Sequence, residues 1–114
     1  MAYNEQLTNR IREALAHLPK VEEKKMFRGV TFMVNGKMCI SAGNDEMMCR
    51  IDPNVFEVVL EKNGCRPIIH GGRMMKGFVF VNEENLHNKK EFNYWINLAL
   101  DFNRKAKTSV KKKS

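Results

Sequence analysis

Apolar positions recur along this chain with two different periods. Between Asn4 and Leu18 they fall at Leu7, Ile11, Ala14, Leu15 and Leu18, the spacing of one helical face. Pro19 stops that helix, and Arg10, Arg12 and Glu13 lie on its polar side. Lys20 to Lys25 reads as a charged connector. Beyond it the period shortens to two. Met26 to Val34, Lys37 to Ala42 and Glu46 to Ile51 read as three successive strands. Asn35-Gly36 is a strong two-residue hairpin signal, because both positions tolerate positive φ, and Gly43-Asn44-Asp45 is the next turn.

The turns set an expected register. Val34 opposite Lys37 puts Phe32 opposite Cys39. A three-residue loop from Gly43 to Asp45 puts Ala42 opposite Glu46 and Cys39 opposite Cys49. One sheet face then carries Val30, Phe32, Val34, Cys39, Met47, Cys49 and Ile51, the expected core side. The other carries Phe27, Thr31, Met33, Met38, Ile40, Met48 and Arg50, a face rich in methionine.

The second half starts a helix at Asp52-Pro53, with an acceptor at the N-cap and proline in the first turn. Val55, Phe56, Val59 and Leu60 form its apolar stripe, and Asn63-Gly64 ends it. Arg66 to Lys76 reads mostly as loop, with Pro67 to His70 the one place for a short strand. Gly77 to Asn82 alternates as a strand. Asn88 with Glu91 resembles a capping box, and Phe92, Trp95, Ile96, Ala99 and Phe102 mark a long C-terminal helix. The expected fold is α+β: helix, three-strand meander, helix, one or two strands, helix, with an antiparallel sheet of four or five strands. Residues 1–103 form one domain, followed by a basic tail at 104–114.

Charge refines this outline. The chain carries +7 overall, yet six of its twenty basic residues follow Asp101, which leaves Met1 to Asn103 at only +1. A nearly neutral body does not demand a nucleic-acid-binding face. A lysine tail still gives weak attachment to polyanions. The three cysteines form no disulfide framework and suit a reducing, cytoplasmic setting. No apolar run approaches the ~20 residues that cross a bilayer.

Three groups of residues invite a functional reading. Gly72, Arg73 and Lys76 combine exposed backbone N–H groups with two cations, the makings of an anion or acidic-partner site. The glycines precede a strand rather than open a helix, so neither a Walker loop nor a dinucleotide fingerprint is present. Solvated cations in a glycine turn are the plainer reading. The face formed by Met33, Met38, Ile40, Met48 and Arg50 is an adaptable interaction surface, for a partner or for a second copy, unless a helix covers it. Cys39 and Cys49 read more simply as packed hydrophobes than as a redox or metal pair. No nucleophile motif, carboxylate pair, metal spacing or cofactor fingerprint supports catalysis.

Taken in order, Met26-Phe27-Arg28-Gly29, Met38-Cys39, Arg66-Pro67, the run Gly72-Arg73-Met74-Met75-Lys76-Gly77-Phe78-Val79-Phe80-Val81 and Trp95 resemble the N-terminal domain of the TfoX/Sxy family of bacterial competence regulators. The resemblance spans Tyr3 to Phe102 and departs from the commoner family pattern at Arg28 and Met74. It implies a cytoplasmic α+β domain without a cofactor or catalytic residues. The function it implies is a non-enzymatic regulatory or adaptor role through contacts with a protein partner. The alternative is weak nucleic-acid binding through the Gly72–Lys76 loop and the basic tail.

Overall fold

The computed structural model describes residues 4–26 and 29–106. Three helices lie on one face of a six-stranded antiparallel sheet of order β1-β2-β3-β4-β6-β5. The α+β class and antiparallel sheet agree with the sequence, and the strand count is higher than the expected four or five.

Helix α1 (Glu5–Ala14) is capped by Asn4, whose Oδ1 accepts from the Leu7 N–H at 2.9 Å. Leu7, Ile11 and Leu15 are buried from it. The helix stops short of Leu18, because proline at 19 disfavours the helical conformation of the residue before it.

The first added strand is β1 (Val21–Met26), in the segment expected to be a charged connector. It pairs along its whole length with β2 (Gly29–Val34). As an edge strand it is held by its ladder, while Glu22 to Lys25 point largely to solvent. Alternation never appears there because little of the strand is buried. The run from Met26 to Val34 is thus two strands, and Phe27 and Arg28 lie outside the described residues. At the start of β2 the chains approach closely. A Cβ on Gly29 would lie 2.0 Å from the Ala42 carbonyl oxygen, so only glycine fits.

Strands β3 (Lys37–Ala42) and β4 (Glu46–Arg50) complete the meander. Asn35 and Gly36 take φ of 55° and 77°, the hairpin turn expected of them. Val34 faces Lys37, but a bulge then shifts the ladder so that Phe32 faces Ile40 rather than Cys39. The next turn also differs: Gly43 N–H donates to Glu46 O at 2.8 Å, which leaves a two-residue loop and pairs Ala42 with Met47. Cys49 consequently faces Ile40, not Cys39. Ile40 therefore joins the core under the helices instead of the methionine face.

Asp52 caps the next turn, accepting from Asn54 N–H at 2.9 Å, and Pro53–Val55 forms a 3-10 turn leading into α2 (Phe56–Val59). That backbone hydrogen bond, then the Lys105 side chain, holds the Asp52 carboxyl below its usual range. Strand β5 (Cys65–His70) and the ten-residue β6 (Arg73–Asn82) form a hairpin where mostly loop was expected. Gly71 and Gly72 make its turn at φ of 60° and 78°, values few other residues accept. Asn82 N–H donates to Gly64 O, so alternation leaves Pro67, which has no N–H, facing away from β6 on the outer edge.

Helix α3 (Lys89–Asn103) begins where Asn88 Oδ1 accepts from Lys90 and Glu91 N–H groups at 2.8 and 3.2 Å. The Glu91 carboxylate goes to Lys62 Nζ at 3.4 Å instead of back to the cap. Phe92, Trp95, Ile96 and Ala99 pack toward β3 and β4, with Trp95 fully buried. Asn103 fastens the end of α3: its Nδ2 donates to Val34 O at 3.2 Å and its carbonyl accepts from Lys37 Nζ at 2.9 Å. The described chain runs past residue 103 to a buried Ala106, and most of the expected tail, residues 107–114, lies outside it.

Two stability outcomes follow from these contacts. Gly29→Ala is expected to cost about 1–3 kcal/mol through forced backbone displacement, measured by urea unfolding. Trp95→Phe is expected to cost less than the ~3–5 kcal/mol of a truncation to alanine. It keeps a ring in place and removes a buried indole N–H that has no acceptor among the described residues. A Trp95→Phe loss as large as that of Trp95→Ala would show the indole N–H to be satisfied.

Candidate functional site

Every helix contributes to the main core, and among the described residues none packs on the opposite sheet face. That face holds its own cluster: Met33, Met38 and Met48, with Ile68, Phe78 and Phe80 against them. The three methionines are at most 9% exposed, so the long side chains largely cover one another. Of the residues expected on this face, Met33, Met38 and Met48 meet there. Ile40 is on the other side, as the bulge requires. Arg50 lies toward the sheet end, its guanidinium 5.6 Å from the centroid of Phe102.

The cluster does not fill the face. A cleft of about 370 Å³ runs between β3, β4 and the β5–β6 hairpin. Met38, Met48, Ile68, Met75, Phe78 and Phe80 supply apolar walls, while Ser41, Glu46 and His70 also line it. One end is braced by Arg66. Its Nε donates to Asn82 Oδ1 at 3.1 Å, its Nη2 pairs with Glu46, and its guanidinium stacks 5.2 Å from the Phe80 ring centroid. Sequence patterning missed Ile68, Met75 and Phe80 as parts of one site. The Pro67–Ile69 ladder irregularity brings residues of both strands to the same wall.

Gly72, Arg73 and Lys76 lie at the hairpin tip, exposed. A Cβ on Gly71 or Gly72 would meet nothing within 4 Å. These glycines serve the turn rather than a close approach to another group. Among the described residues Arg73 and Lys76 have no ion-pair partner. They share the tip with exposed apolar side chains: Ile69, 57% accessible, and Met74, 49% accessible.

The cysteines are not brought together as a facing pair. Burial pushes the Cys39 thiol up to about 12, raises Cys49 well above its ordinary value and lifts Cys65 to about 11. Such thiols stay protonated near neutral pH and make poor nucleophiles. Among the described residues no three His, Cys, Asp or Glu side chains group as metal ligands. Nor is any helix there long and apolar enough to cross a membrane.

A family model of the TfoX N-terminal domain matches residues 13–103, most of the chain. The chain belongs to the TfoX N-terminal domain family. Its match begins within α1 and ends with α3, so the whole sheet and both of its faces fall inside the family domain. No curated protein and no solved structure matches the chain.

The thiol environments give a direct expectation. With a disulfide-exchange reagent at pH 7.5, half-buried Cys65 is expected to react slowly under native conditions. Cys39 and Cys49 are expected to react only on unfolding, as counted by absorbance in native and denaturing buffer. Rapid native reaction at Cys39 or Cys49 would contradict the packing described.

Proposed function

We propose that this TfoX N-terminal domain protein is a non-enzymatic regulatory or adaptor domain acting through protein contacts. Its contact surface is the helix-free side of the sheet with the β5–β6 tip. The one-sided placement of the helices carries this reading. Among the described residues it leaves an apolar sheet face without a second layer, bordered by exposed Ile69 and Met74. Methionine-rich surfaces accommodate varied partners because the thioether chain bends without branching strain. Family membership supports a regulatory role of the competence type, and we place the protein in the cytoplasm.

The second reading, weak nucleic-acid binding, draws on Arg73 and Lys76. Both cations are exposed at the tip and lack ion-pair partners among the described residues. The near-neutral charge of the rest of the body favours the first reading.

Nuclease-treated native lysate distinguishes the two. A tagged chain carrying Ile69→Glu and Met74→Glu is expected to lose at least tenfold of its captured protein with an unchanged circular dichroism spectrum. Arg73→Glu with Lys76→Glu is expected to leave capture intact. An identical protein set on wild type and the Ile69/Met74 variant would overturn the contact surface. Oligonucleotide binding that falls steeply with salt, and that charge reversal abolishes, would favour the second reading.

A further inference from the structure

We infer that the cleft on the helix-free face binds a small, uncharged, mainly apolar molecule that carries one hydrogen-bond acceptor. Its volume of about 370 Å³ lies within the range of small-molecule sites. Aromatic rings and thioethers form its walls, a combination that suits a flat or aromatic body.

The polarity of the ligand follows from a buried hydroxyl pair. Ser41, 4% exposed, lies on the cleft wall, and its Oγ is 3.0 Å from Oγ1 of fully buried Thr31. Two hydroxyls bring two protons, and their mutual hydrogen bond uses one. The second proton has no acceptor among the described residues. Either hydroxyl can donate to the other, and in the arrangement where Thr31 donates the spare donor belongs to Ser41 and borders the cleft. A buried donor without an acceptor carries a desolvation penalty, which a ligand carbonyl removes.

Charge on the ligand is disfavoured by the same walls. Glu46, the carboxylate on the lining, is already paired with Arg66. No lysine or arginine stands on the lining to hold an acid, and no free carboxylate to hold an amine. The class that remains is an aromatic or short acyl compound bearing a ketone, ester or amide. This inference goes beyond the protein-contact reading. That reading is tested at Ile69 and Met74, which do not line the cleft.

The full chain, labelled with 13C at its methionine methyl groups, tests the inference by NMR titration. The probes are 2-acetylnaphthalene and 2-ethylnaphthalene, which differ in the carbonyl. The ketone is expected to shift the Met38, Met48 and Met75 signals saturably and to leave Met47, in the core under the helices, unmoved. The hydrocarbon is expected to bind about fivefold more weakly, for want of one hydrogen bond. Thr31→Val with Ser41→Ala replaces both hydroxyls by apolar groups of similar shape, and is expected to bind the two probes alike. Met75→Gln, at a rim position 37% exposed, is expected to weaken both probes while retaining their difference. It keeps the test open should the double variant fail to fold. Absent or unsaturable shifts, shifts that include Met47, or equal affinity of the two probes for the wild-type chain would overturn the inference. Partner capture without saturable probe binding would sink the cleft alone. Probe binding without any partner would sink the contact surface alone.

Discussion

Trp95 lies fully buried between α3 and the sheet, and its burial fixes which side of the sheet the helices occupy. An indole removes a large apolar area from water, and the positions around it extend the same stripe. Once α3 lies across β3 and β4, the shorter stripes of α1 and α2 pack beside it in one continuous core. Among the described residues the opposite face is left to shield itself. It does so with side chains long enough to lie down on the strands: three methionines, an isoleucine and two phenylalanines. Such a layer covers backbone without filling all the space above it, and the cleft is what remains.

Elements with buried stripes or special turns were legible in the sequence. The α1 and α3 patterns, the Asn35-Gly36 hairpin and the Asp52 and Asn88 caps all correspond to structure. What escaped notice was of two kinds. Edge strands need no alternation, since ladder hydrogen bonds hold them while their side chains remain solvated. That is why β1 read as a connector and the outer part of β5–β6 as a loop. Register is the second kind, because it depends on single-residue events. One bulge beside Met33 and one residue fewer in the Asn44-Asp45 loop moved Ile40 to the other face and separated the expected Cys39–Cys49 pair. The methionine face was visible in outline. The cleft was not, because its far wall comes from Ile68, Met75 and Phe80, which share a surface only through an irregular ladder.

The chemistry of the chain is correspondingly quiet. Its thiols are held protonated by burial, and the two cations of the Gly72–Lys76 segment sit beside glycines that serve a hairpin turn. Selectivity on such a surface comes from shape and from a few polar groups in an apolar setting. Arg66 shows how this is arranged: one guanidinium satisfies Asn82 and Glu46 and covers a ring, and so shapes the cleft end without leaving a net charge there.

Pro67 has a consequence for how copies of this protein can meet. A sheet grows into a fibre when an outer strand offers its neighbour an unbroken row of donors and acceptors. Here one rim lacks a donor at Pro67, and the other, β1, projects Glu22, Glu23, Lys24 and Lys25. Growth strand by strand is opposed at both ends. A second copy is thereby offered the sheet faces rather than the edges. Such contact about a two-fold axis uses the same patch on both copies and so closes at a pair.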